Sequence, residues 1–196
     1  IDTTALVTTI SGKPNNPTNA TTASLAFAAG ETSTYQCQLD GGSWAACTSP
    51  KDYTGLAAGS HTFGVKATDL AGNPEATPVS YTWTIDTTAP VTTASPVWGS
   101  YGSAQNVTLS ANEQATIYYT TDGTTPSESS SIYSTPIPIA ATTTLKFFAK
   151  DLARNSESVK TTVYNITHIT KGDINEDNAV DLTDAVMAMQ VLSGIT

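Results

Sequence analysis

Asp173, Asn175, Asp177, Asp181 and Asp184 place side-chain oxygens at positions 1, 3, 5, 9 and 12 of a twelve-residue stretch, and Ala179 offers a backbone carbonyl at position 7. A hard cation such as Ca²⁺ takes roughly six to eight oxygens, so a chain that binds it must wrap around it at such a spacing. The stretch reads as a Ca²⁺ loop, against the plainer alternative of a solvated acidic linker. Glu176 falls off the ligand spacing and only adds field. Without the ion these carboxylates repel one another, so metal binding should be coupled to folding of this tail. Catalytic chemistry has no comparable constellation. His61 lies in a strand pattern and His168 in a linker, neither beside a recognisable nucleophile, so the chain reads as not an enzyme.

The loop has to be held by the elements on either side of it. After it, Leu182, Ala185, Val186, Met189 and Leu192 recur at helical spacing, and Met187, Ala188 and Val191 widen the apolar surface. A helix apolar nearly all round is expected to be buried. Its cover would be the neighbouring domain, a second copy of itself, or a partner protein.

Before it, the chain repeats itself. Ile1-Asp2-Thr3-Thr4-Ala5-Leu6-Val7-Thr8-Thr9 returns as Ile85-Asp86-Thr87-Thr88-Ala89-Pro90-Val91-Thr92-Thr93. Asp69-Leu70-Ala71-Gly72-Asn73 returns as Asp151-Leu152-Ala153-Arg154-Asn155. A period of about 80 residues means two copies of one domain rather than a solenoid of small units. The domains are therefore read as 1–85, 86–168 and a short element at 169–196. Each copy shows short alternating runs broken by Gly, Pro, Asn and Asp, the pattern of a β-sandwich. Phe63, Val65 and Ala67, then Tyr81, Trp83 and Ile85, alternate inward in the first copy. Ile117 with Tyr119, Leu145 with Phe147 and Ala149, and Tyr164 with Ile166 do so in the second. The repeated Asp and Asn read as turn closers, because their side chains bond nearby amides and tolerate left-handed geometry.

The net charge is -9, distributed as -3 over 1–85, -2 over 86–168 and -4 over 169–196. The tail is the most acidic segment per residue, which suits a cation, and no basic stripe exists for a nucleic acid. No apolar run approaches membrane-spanning length. The chain opens at Ile1 without Met and reads as a mature or excised fragment. Cys37 and Cys47 flank the Asp40-Gly41-Gly42 turn, and read as a disulfide that places the protein outside the cytosol, against the alternative of two buried free thiols.

Three resemblances rest on these residues. Residues 20–85, through Tyr35-Gln36-Cys37-Gln38-Leu39-Asp40-Gly41-Gly42-Ser43-Trp44 and Cys47-Thr48-Ser49-Pro50, resemble a bacterial Ig-like repeat of large extracellular proteins. That resemblance implies the Cys37–Cys47 disulfide. Residues 96–166, through Ile117-Tyr118-Tyr119-Thr120-Thr121-Asp122-Gly123-Thr124-Thr125-Pro126 and Thr144-Leu145-Lys146-Phe147-Phe148-Ala149, resemble the chitobiase/β-hexosaminidase C-terminal-like domain. It implies an Ig or fibronectin-type accessory sandwich without catalysis. Residues 171–195 resemble one repeat of a dockerin, which implies Ca²⁺ held by Asp173, Asn175, Asp177, Ala179, Asp181 and a bidentate Asp184. It also implies that Leu182 and Thr183 face a cohesin-like partner, and the apolar stripe of the helix extends the expected partner surface to Val186 and Met189. Position 6 carries Asn178, the non-Gly residue best suited to left-handed geometry.

The expected architecture is mainly β: two tandem Ig-like β-sandwiches and a short C-terminal calcium loop-helix element. The expected function is a non-catalytic structural and interaction segment of a secreted or cell-surface, bacterial modular protein. The tandem sandwiches act as a spacer, and the Ca²⁺ element docks a cohesin-like module or self-associates. Two alternatives use the same residues. One is a carbohydrate-binding accessory region of a polysaccharide-degrading enzyme, with Trp98, Tyr101, Tyr118 and Phe148 as a sugar or interface platform. The other is a self-assembling surface or filament subunit. Trp44 is read as hairpin packing and Trp83 as core.

Overall fold

The computed structural model describes residues 6–167 and 180–193, and the fold is mainly β. Backbone contacts divide the chain into two compact units: the residues up to Ala89 with Asp151–Asn155, and Pro90–Lys150 with the residues from Ser156.

The first unit contains β1 (Thr8–Gly12), β2 (Ala23–Ala29), β3 (Ser33–Leu39), β4 (Ala45–Cys47), β5 (Lys51–Tyr53), β6 (Gly59–Asp69) and β7 (Val79–Ile85). They form a β1-β2-β5 sheet and a β4-β3-β6-β7 sheet. Alternation puts one side chain in two toward the space between the sheets. Leu25 and Phe27 of β2 meet Phe63 and Val65 of β6 and Trp83 and Ile85 of β7 there. Each such side chain contributes roughly 1.5–3 kcal/mol by leaving water. Between β3 and β4 the chain reverses with positive φ at both Asp40 (51°) and Gly41 (72°), and the Gly42 amide donates to the Leu39 carbonyl at 2.9 Å. Two left-handed residues in succession are what a twisted hairpin requires. The Cys37–Cys47 disulfide ties the same two strands, with Cα atoms 5.8 Å apart. Trp44, also in this loop, lies over β6, where Gly64 leaves room for it. A Cβ there would stand 3.2 Å from the indole.

The second unit repeats the plan with β8 (Thr92–Ser95), β9 (Gly99–Tyr101), β10 (Gln105–Ala111), β11 (Ala115–Thr120), β12 (Ser131–Ile132), β13 (Ile137–Ile139), β14 (Thr143–Asp151) and β15 (Lys160–Ile166). Its sheets run β13-β10-β8 and β12-β11-β14-β15-β9. Val107, Leu109, Ile137 and Ile139 from one sheet pack on Ile117, Leu145, Phe147 and Tyr164 from the other. β7 and β15 share one in-out pattern, so Tyr164 stands where Trp83 stands in the first copy. Each closing strand also takes a parallel neighbour from near the start of its copy. β9 pairs with β15 from Tyr164↔Gly99 to Ile166↔Tyr101, and Thr18 bridges Ile85. The remaining element, α1 (Leu182–Ser193), is a helix.

Candidate functional site

Of the expected Ca²⁺ ligands, Asp173, Asn175, Asp177 and Ala179 lie outside the described residues. Asp181 and Asp184 are described, and they form the start of α1. Asp181 Oδ1 accepts from the Thr183 amide (2.7 Å) and hydroxyl (2.5 Å), while Asp184 Oδ2 accepts from the Asp181 amide (2.9 Å). Asp181 thus caps the helix through the Thr183 amide while Asp184 reaches back to the Asp181 amide, which satisfies amides that a helix start leaves without intrahelical partners. The hydroxyl of Thr183, and then its amide, hold the Asp181 carboxyl below the usual carboxylate range. Asp184 is buried at 2% exposure, with Met187 and Ala188 on its side of the helix half-buried. Both carboxyl groups are held by hydrogen bonds at the N-terminal end of the helix, where its dipole favours negative charge. The chemistry of the pair is that of hard oxygen donors, which fits Ca²⁺.

The rest of α1 departs from the expectation of burial. Leu182 is 77% exposed, Met189 59%, Val186 40% and Leu192 87%, and Thr183 is exposed beside them. The expected cover is absent from the described residues. The helical spacing was readable, but periodicity states which residues share a face and not what lies against it.

The four aromatic residues expected to form a platform separate into two groups. Trp98 is 71% exposed and Tyr118 half-buried. Phe148 does point away from the core cluster, yet it is buried at 8% because Tyr118, on the adjacent strand, stacks on it at 5.2 Å and 22°. It is closed to a ligand. Tyr101 is corrected as well. It pairs with Ile166 and so turns inward, packing on the core with its ring 6.2 Å from Tyr164 and its hydroxyl on the Val97 carbonyl.

The acids that recur between the two sandwiches are engaged by backbone and neighbouring side chains. Asp69 accepts from the Asn73 amide and from Asn73 Nδ2, both at 2.8 Å, and Asp151 does the same with Asn155 at 2.7 and 2.8 Å. These are turn closures, with Gly72 and Arg154 in the left-handed region at equivalent places. Glu75 and Glu157 carry a role that the sequence reading missed. Glu75 accepts from the Thr8 amide (2.8 Å), the Thr8 hydroxyl (2.7 Å) and the Ala67 amide (3.2 Å). Glu157 accepts from the Thr92 amide (3.1 Å), the Thr92 hydroxyl (2.5 Å) and the Ala149 amide (2.9 Å), with Lys160 at 3.0 Å. A signal existed, because the repeat runs on through Asn73-Pro74-Glu75 and Asn155-Ser156-Glu157. His61 is committed too, with Nδ1 2.7 Å from Asp40 Oδ2 and Nε2 2.9 Å from the Ala57 carbonyl.

With this geometry in hand, residues 96–161 match the chitobiase/beta-hexosaminidase C-terminal domain, a family defined on less than half of the chain. Among solved structures, the fibronectin(III)-like modules of CbhA from Clostridium thermocellum are similar at 12% identity and a TM-score of 0.47, over 82% of this chain and 94% of that one. No curated protein matches the chain. Among the described residues no helix is long and apolar enough to cross a membrane.

Proposed function

We propose that the chain is a non-catalytic interaction segment of a modular extracellular protein, in which two Ig-like sandwiches carry a Ca²⁺-ordered loop-helix element that docks a protein partner. One observation carries the reading: α1 is capped and helical, yet presents Leu182, Val186 and Met189 to solvent. Grouped apolar side chains on an exposed helix mark an interaction surface. The match of residues 96–161 supports an accessory sandwich. So does the use of Asp69, Asp151, Glu75, Glu157 and His61 to close turns and pin strands, which leaves them occupied with structure. The disulfide supports an oxidising compartment.

In this reading Asp181 and Asp184, with Asp173, Asn175, Asp177 and the Ala179 carbonyl, hold the ion. Ca²⁺ supplies the positive charge that lets those carboxylates gather, and α1 is the part that meets a cohesin-like module or a second copy. Calorimetric Ca²⁺ titration of the full chain against a chain ending at Thr167 tests the metal. Uptake by the full chain alone is expected, and equal uptake by both sinks the assignment. Sedimentation with and without Ca²⁺, and with a cohesin-like module added, tests the docking. Met189→Glu should abolish whichever complex forms.

A further inference from the structure

The outer face of the five-stranded sheet carries a groove of about 580 Å³ beside its β9 edge, lined chiefly by Trp98, Ser100, Thr161, Val163 and Asn165. Register builds it. Asn165 sits beside Ser100 in the parallel ladder, and Thr161, Val163 and Asn165 alternate outward along β15 while Tyr164 and Ile166 turn into the core. Period-two alternation spaces those three outward side chains about 7 Å apart along the strand. The floor is thus a hydroxyl, an isopropyl group and a carboxamide in line, with a second hydroxyl alongside and an indole at the rim. Val163 is 40% exposed and Trp98 71%.

A flat apolar ring beside neutral donors and acceptors complements a sugar, which shows C–H groups on its faces and hydroxyls around its edge. The volume lies within the usual range for a ligand site. Charge narrows the ligand further. The side chains lining the groove are uncharged, so it offers a neutral polymer stacking and hydrogen bonds without any ion pair. A peptide is the weaker fit. It would bind by adding a strand along β9, which is a rail of three residues, whereas this groove offers side-chain groups on a face. We infer that this groove binds a neutral polysaccharide, with Trp98 stacked on one sugar ring and Ser100, Thr161 and Asn165 hydrogen-bonded to hydroxyls. None of the residues lining the groove belongs to the Ca²⁺ loop or to α1.

The full chain, in EDTA so that the metal-dependent docking is silent, is tested for retention on insoluble cellulose, chitin and xylan. Retention on at least one is expected, weakened about tenfold or more by Trp98→Ala. Leu70→Ala, which removes an equally exposed side chain from the first unit, should leave it unchanged. Should Trp98→Ala lower the melting temperature, Ser100→Arg carries the same expectation by filling the groove from a surface position. Retention on none of the three, retention that both groove variants leave unchanged, or equal loss with Leu70→Ala each overturns the site.

Discussion

His61 holds two acceptors, the Ala57 carbonyl on Nε2 and the Asp40 carboxylate on Nδ1, and only an imidazolium can donate to both. The Ala57 carbonyl, and then Asp40, hold its pKa above the ordinary histidine value. Asp40 moves the other way. Burial works against its charge, but hydrogen bonds from His61 and the Thr62 amide outweigh that and hold it below the usual carboxylate value. A raised histidine contributes its stability fully below its unfolded pKa, about 6.5, and loses it as pH rises through the folded value. A lowered aspartate contributes above its unfolded pKa, about 3.9, and loses it as pH falls through the folded value. The pair therefore favours folding most between about pH 4 and 6.5. The melting temperature of the first unit should fall as pH rises past that window, and Asp40→Asn should flatten the fall. An unchanged alkaline slope in Asp40→Asn would show that the pair is not its source. The turn position of Asp40 was legible from Asp40-Gly41-Gly42. Its partner was not, because His61 reaches it only through the β3–β6 register, which is a long-range fact.

At the scale of elements, β1 and β8 enter their sandwiches on a carboxylate. Thr8 and Thr92 are buried at 3% and 2%, and each gives both amide and hydroxyl to a glutamate more than sixty positions later. Removing the acceptor leaves buried donors without partners, so Glu75→Ala and Glu157→Ala should each cost at least ~2 kcal/mol by urea unfolding. The glutamine variants, which keep one oxygen, should fall between. A loss under ~0.5 kcal/mol would make the contact incidental. Strand interiors were readable for the opposite reason. Phe63, Val65, Trp83, Leu145 and Phe147 are placed by local alternation, and all are buried. What alternation could not give is the burial of Tyr101 and Phe148. The first depends on which strand β9 joins, and the second on a neighbour lying over a side chain that does point outward. The pattern of α1 gave its helical character and its apolar residues, but it could not give their cover.

At the scale of the whole molecule, two units of one topology have separate cores, and only the first carries a disulfide. Its two cysteines are 10 positions apart, and opening such a loop costs roughly 2–3 kcal/mol in the chain-entropy account. For a domain of this size that is a shift of roughly 10–20 °C. Calorimetry should show two transitions, of which reducing agent lowers one and leaves the other in place. A common shift of both would mean that the units do not unfold separately. The division into two copies was visible as a repeat in the sequence, whereas the matching of β1-β2-β5 by β8-β10-β13 required the pairing itself.

The parallel pairing of β9 with β15 bears on what happens when the chain is pulled. Tension arriving from the N-terminal side meets β8 first and then enters β9 at Gly99, while tension from the C-terminal side enters β15 at Ile166. Those are opposite ends of a parallel pair, so the load slides one strand along the other and strains the ladder's hydrogen bonds together. An antiparallel pair pulled from adjacent ends peels apart one bond at a time. The Thr18–Ile85 bridge puts the first copy in the same geometry, over a shorter contact. Each sandwich thus has one parallel contact that is loaded in shear, a ladder of three pairs in the second copy and a single bridge in the first.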